Sequence, residues 1–292
     1  MFNLRYHVAS LIAVFLALAV GLVLGTVVAE EGTITDQGAQ LVSDLQKQFE
    51  ELRRDNADLR EGLELDRAFA QDVVPLLVEE RLASQTIIVL ANAGRVDGLN
   101  ATVTAIEEAG GIPVVVTLEQ RGFGLAAMAD ENRTAVLDAL AFWGVDGDVA
   151  DDAGRLSAAV ADTLASEWQQ AGQRPLTDAL VQAQVVGLSA ETFGPTRGIV
   201  VMAAWADAAD PVAVAIGAAF SDDELPVVAV ETSGRETGVV TAATQLGYSA
   251  VDNIGTPQGE VSLVWILSGE TRGYFGVRPE AEAPYPQMRT AE

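Results

Sequence analysis

The chain has 292 residues, 42 acidic against 17 basic side chains, a formal charge of −25 and no cysteine. Such a charge repels the phosphates of nucleic acid and the headgroups of anionic lipid. Without cysteine there is no disulfide framework, no thiolate metal site and no cysteine nucleophile.

Residues 1–7 read as a cytoplasmic stub before residues 8–29, VASLIAVFLALAVGLVLGTVVA, which carry no charge. As a helix this run spans roughly 33 Å, enough for a hydrocarbon core of about 30 Å. It is longer than a signal-peptide core and lacks a clearly basic lead, so an uncleaved transmembrane helix is the better reading. The small residues at 26–29 leave cleavage as the alternative. Arg5 precedes the span, and Glu30, Glu31 and Asp36 follow it, which places the amino terminus in the cytoplasm and the rest outside. Localisation is therefore the cell membrane, single-pass. Ala9, Ala13, Ala17, Gly21, Gly25 and Ala29 recur every four residues. Such a ridge lets two backbones approach closely, although an alanine-rich chain produces one by chance as often.

Residues 30–38 read as a polar hinge, and residues 39–80 as a coiled-coil stalk. With Val42 at a, the seam runs Leu45, Phe49, Leu52, Asn56, Leu59, Leu63, Asp66, Ala70, Val73 and Leu77, apolar except at Asn56 and Asp66. Asn56 at an a position fits a parallel two-stranded register, and Asp55 at g faces Arg60 at e of a second chain. The predicted homodimer interface is Ala17, Gly21, Gly25, Leu45, Phe49, Leu52, Asn56 and Leu59. Beyond Gly62, Asp66 favours the alternative, a helix packed on its own domain.

From residue 84 the pattern changes to short, wholly apolar strands (86–90, 112–118, 198–204, 226–230 and 249–251) alternating with helices. Strands of that kind belong to a parallel sheet covered on both faces. Residues 84–278 are thus expected to form an extracytoplasmic α/β domain of flavodoxin- or Rossmann-like type, with a mostly helical section over 130–189. Residues 279–292, PEAEAPYPQMRTAE, lack apolar periodicity and read as a disordered tail.

Ligands of open parallel sheets sit beyond the carboxyl ends of the strands. Those ends offer a speculative site of Asn92, Gly94, Thr232, Ser233, Gly234, Asp252 and Asn253, with Arg95 and Arg235 alongside. Thr-Ser-Gly-Arg before a helix can cradle an anion. Turn and cap chemistry explains the same residues without a ligand. No GxGxxG follows the first strand, and no Walker or GxSxG motif occurs. His7, the sole histidine, lies at the edge of the span, so the outer domain has no imidazole base. No catalytic residue and no cofactor is expected, and the protein reads as a non-enzyme.

Phe2-Asn3-Leu4-Arg5-Tyr6-His7 runs directly into an alanine-rich span that ends Gly21-Leu-Val-Leu-Gly-Thr26. Val251-Asp252-Asn253, Thr256-Pro257-x-Gly259 and Gly273-Tyr274-x-Gly276 follow near the carboxyl end. With the leucine coil and α/β pattern between them, the chain resembles the actinobacterial copper transporter family, also called the MctB family. The likeness covers nearly the whole chain except about residues 120–190. It implies an envelope membrane protein with a role in copper homeostasis or export, and copper enters only by that implication. Cu(I) prefers thiolate or thioether donors, and the methionines Met1, Met128, Met202 and Met288 are scattered. Two functions follow: copper handling, or a dimeric envelope scaffold that docks an envelope or membrane protein, with cell division as one setting.

Overall fold

The computed structural model describes residues 4–30, 32–125 and 127–287, with the side chains of 4–6, 9 and 26–40 excepted. The chain divides into two compact units, Met1–Asp66 and Arg67–Glu292.

The first unit is helical: α1 covers Leu4–Glu30, and α2 starts at Gly32 and continues to Val78 in the second unit. Among the described residues no helix is long and apolar enough to cross a membrane. α1 is 27 residues long and carries no charge over residues 8–29. Leu11, Phe15, Leu18 and Leu22 on it are exposed. Gly32 to Gly38, expected as part of a hinge, are helical instead. Neither glycine breaks the helix, because the cost of glycine in a helix, about 1 kcal/mol, is small against the cooperativity of 47 helical residues.

The second unit is an α/β layer structure. After α2 come β1 (Thr86–Asn92), α3 (Leu99–Glu108), β2 (Ile112–Leu118), α4 (Asp130–Phe142), α5 (Ala153–Gln169) and α6 (Pro175–Gln182). Next stand β3 (Val186–Leu188), β4 (Thr196–Val201), the two-residue pair β5 (Ala204–Trp205) and β6 (Ala208–Ala209), and α7 (Pro211–Asp222). β7 (Val227–Thr232), α8 (Val239–Gln245), β8 (Ser249–Ile254), α9 (Pro257–Leu267) and β9 (Tyr274–Phe275) complete it. The main sheet has seven strands in the order β3-β2-β1-β4-β7-β8-β9. All its pairings are parallel except β2 with β3.

The strands are continuously apolar because both faces are covered. In β1, Ile88 and Leu90 enter one core with α4 to α8, while Ile87 and Val89 enter the other. The second core is closed by α3, by α9 and by the end of α2 through Val74 and Val78, followed by Leu82. Of the stalk expected over 39–80, the turns from Arg67 onward belong to the α/β unit. Arg81 fixes this junction. Its guanidinium lies 4.7 Å over the Trp265 ring, pairs with Glu270, and its Nε donates to the Leu77 carbonyl at 2.5 Å. Pro75 withholds one ladder donor in the same turns.

Two further expectations change. Five parallel strands become a seven-stranded mixed sheet, since β3 and β9 are too short to leave an apolar run in the sequence. The segment from Pro279, read as disordered, is bonded to the domain over its first residues. Glu282 N–H donates to the Tyr274 carbonyl at 2.8 Å and Gly276 N–H to the Ala283 carbonyl at 3.0 Å. Residues 288–292 lie outside the described residues.

Leu82 is fully buried and Leu246 is exposed. Leu82→Ala is expected to lower unfolding free energy by about 2–5 kcal/mol and Leu246→Ala by under about 0.5 kcal/mol, as read by urea denaturation. Glu260 in α9 is pushed above the ordinary glutamate range by burial and by Glu108. The folded chain thus holds this proton more tightly than the unfolded one. The resulting stability is complete below the unfolded value of about 4.3 and is lost as pH rises through the folded value. Glu260→Gln should raise the melting temperature at pH 7 and leave it nearly unchanged at pH 4.

Candidate functional site

The chain runs from β1 outward to β2 and returns to the other side of β1 as β4, so the topological switch point lies between β1 and β4. Open α/β sheets bind ligands at that place. A crevice of about 140 Å³ opens there, lined by Asn92, Asp97, Met202, Glu231, Thr232 and Arg235 among others. Of the residues expected at this edge, Asn92 and Thr232 line the crevice. Gly94 lies in the loop after β1, and Ser233 and Gly234 form an exposed turn. Asp252 and Asn253 are brought elsewhere, into the interior.

The charges around the crevice are already paired. Arg235 binds Asp97, which Arg95 Nε also approaches at 3.5 Å. Glu231, 1% exposed at its side chain, binds Arg278 through Oε2. Its Oε1 accepts the Thr237 hydroxyl at 2.8 Å and the N–H groups of Thr237, Val239 and Val240 at 3.1, 2.8 and 3.2 Å. Those last two are free donors of the first turn of α8, where a bound phosphate would sit. The protein's own carboxylate fills that anion site. Gly238 makes the approach possible: φ is +78°, and a Cβ there would meet the Asp207 carbonyl at 2.8 Å.

Asp252 does the same for the carboxyl-terminal segment. It accepts the Tyr274 hydroxyl at 2.5 Å and the N–H groups of Val277 and Arg278 at 2.7 and 3.1 Å. Burial and this hydrogen bond to the carboxylate push the Tyr274 phenol well above its ordinary value. Burial lowers the Arg278 guanidinium, but its hydrogen bond and ion pair with Glu231 outweigh that and raise it. A Cβ on Gly276 would stand 2.0 Å from the Asp252 carboxylate, so only glycine passes there. Thr256 Oγ1 caps α9 by accepting from Gly259 N–H at 3.2 Å, and a Cβ at 259 would meet the Asn253 carbonyl at 2.4 Å. The motifs Val251-Asp252-Asn253, Thr256-Pro257-x-Gly259 and Gly273-Tyr274-x-Gly276 thus build one packed corner.

Asp210 and Glu167 complete the pattern. Asp210 accepts from Val212 and Ala213 at the start of α7, and from Gly122 N–H and Trp205 Nε1. Glu167 accepts from Leu176 and Thr177 at the start of α6, and from Trp143 Nε1. Sequence reasoning passed over Glu167, Asp210 and Glu231. The one available signal for Glu231 was a lone carboxylate closing the apolar strand Val-Val-Ala-Val.

The chain matches over residues 1–286 the family described as copper transport outer membrane protein, MctB. It belongs to that family. Membership implies a role in copper transport or homeostasis and an association with the membrane. No curated protein matches the chain.

Among the described residues no three histidine, aspartate or glutamate side chains are grouped to hold a metal. Met202 is buried, with its sulfur 3.5 Å from the Thr102 hydroxyl, and Met128 packs against the other core. Met1 and Met288 lie outside the described residues. Lone thioethers in separate cores cannot together satisfy a soft ion that needs several soft donors.

Glu231→Gln would set an amide against Arg278 and is expected to cost about 3–5 kcal/mol. Ser233→Ala in the exposed turn should stay within about 0.5 kcal/mol. Urea denaturation at pH 7 distinguishes the two.

Proposed function

We propose that this MctB-family protein is a non-enzymatic, single-pass membrane protein that works as a dimeric scaffold, with copper homeostasis served through a docked partner. The observation that carries this reading is the exposed apolar seam on α2. Leu45, Phe49, Leu52, Leu59 and Leu63 are each 44–66% exposed. Five large apolar side chains at heptad spacing are stable in water when a second helix covers them. Asn56 Nδ2 donates to the Leu52 carbonyl at 2.8 Å in the single chain, and in a dimer it would turn to its counterpart. Gly21 and Gly25 have nothing within 4 Å of a Cβ position, leaving room for the close pairing that Ala17 and these glycines suit.

Anchoring rests on the uncharged run of residues 8–29 within α1. The amino terminus faces the cytoplasm, and the α/β unit is extracytoplasmic. The seven-stranded sheet is open, with β3 and β9 as its edges, and helices cover both faces, so it is not a lipid-facing barrel. The non-enzymatic reading is supported by buried carboxylates that are bonded internally, Glu167, Asp210, Glu231 and Asp252.

A second reading, direct copper binding, is favoured only by the family description. Titration of the full-length protein in detergent with Cu(I) and Cu(II) is expected to give no tight stoichiometric binding; tight binding would rule against a pure scaffold. Leu52→Asp with Leu59→Asp should convert a dimer to a monomer in analytical ultracentrifugation. A wild-type chain that already sediments as a monomer would end the coil reading.

A further inference from the structure

The outer side of the last turns of α2 remains uncovered. Within the second unit Phe69 and Leu76 are 70% and 72% exposed, while Val74 and Val78 are buried in the core beneath the sheet. At about 100° per residue, Phe69 and Leu76 share one stripe, and Val74 and Val78 lie well over a quarter turn from it. A single exposed leucine is ordinary, but two large apolar side chains two turns apart on a helix fixed from behind form a ready-made groove partner.

The charge around the stripe decides what fits it. From residue 67 to residue 80, Arg67 is the only cation, beside Asp72, Glu79 and Glu80. These three carboxylates are exposed, with no ion pair among the described residues. A second copy would bring acidic surfaces together, which opposes self-association.

We infer that the Phe69–Leu76 face docks an amphipathic helix of a different protein, one with apolar residues on one side flanked by lysine or arginine. Anchors at i and i+7 match the spacing of helix-in-groove recognition, and opposite charge at the rim sets partner choice. The inference rests on the scaffold reading and gives the docked partner its chemistry and its place.

The chain's lack of cysteine makes single-site labelling clean. Phe69→Cys, Leu76→Cys, Leu52→Cys and the exposed control Leu246→Cys would each be made in the full-length protein. Each is labelled with a thiol-linked benzophenone in the native membrane and irradiated. The first two are expected to capture a protein segment that mass spectrometry maps to apolar residues at helical spacing with basic flanks. Leu246→Cys should not capture that segment. Reversing Asp72, Glu79 and Glu80 to lysine should lower the yield about tenfold or more. An adduct with a second copy or with lipid, a segment without basic flanks, an unchanged yield on charge reversal, or no adduct overturns the inference. Leu52→Cys reports on self-pairing alone, so its failure to join two copies counts against the dimer and is distinguishable from failure of the docking face.

Discussion

The burial of Val74, Val78 and Leu82 beneath the sheet is the contact on which the rest depends. A parallel sheet with apolar residues on both faces must be covered twice, and α3 with α9 alone does not close the second face. The end of α2 does. The last turns of α2 therefore cannot be displaced from the sheet without opening this core, and Arg81, stacked on Trp265 and paired with Glu270, reinforces them. An extended α-helix needs such a tertiary hold, since most helical stability comes from packing an amphipathic face rather than from propensity.

A second constraint explains why this α/β unit does not read as a cofactor domain. Helix N-termini in such folds present unpaired N–H groups that commonly bind phosphate. Here Glu167, Asp210 and Glu231 reach into three of them, and Thr256 caps a fourth. Each carboxylate is buried yet surrounded by donors, which offsets the desolvation that would otherwise expel it. Arg278 ties one of these caps to the carboxyl-terminal segment, so β7, α8 and the chain end are held by a single charge network. The same groups that would recognise an anion have been used to hold the fold.

Much of the core was legible because its signal is local. Wholly apolar strands such as Ile87 to Leu90 and Ile112 to Leu118 specify a doubly covered sheet, and Pro211 and Pro257 mark helix starts. Strands β3 and β9 were not legible: three and two residues of pairing leave no periodicity. Nor was the role of the chain end, where PEAEAPYPQ has a disordered composition and is held instead by backbone bonds from Tyr274 and Gly276 that no composition encodes. Of the residues expected at the strand ends, Asn92 and Thr232 line the crevice, a placement that strand position alone suggests. Asp252 was misplaced for the opposite reason, since its side chain faces inward and strand position does not tell inward from outward at a strand end.

The motifs that mark the family have a bearing on its function. Asp252, Thr256, Gly259, Tyr274 and Gly276 form a packed corner in which two glycines admit close backbone or carboxylate approach and two polar residues satisfy buried donors. Motifs of this kind preserve a shape rather than a reaction, and none supplies a soft donor to copper. On α2 large apolar side chains stay exposed, Leu45, Phe49, Leu52, Leu59 and Leu63 in one half and Phe69 and Leu76 in the other. Exposed apolar side chains at helical spacing are the feature of α2 that suits recognition of another helix. On the scaffold proposal, copper homeostasis follows from what the protein holds in place at the membrane.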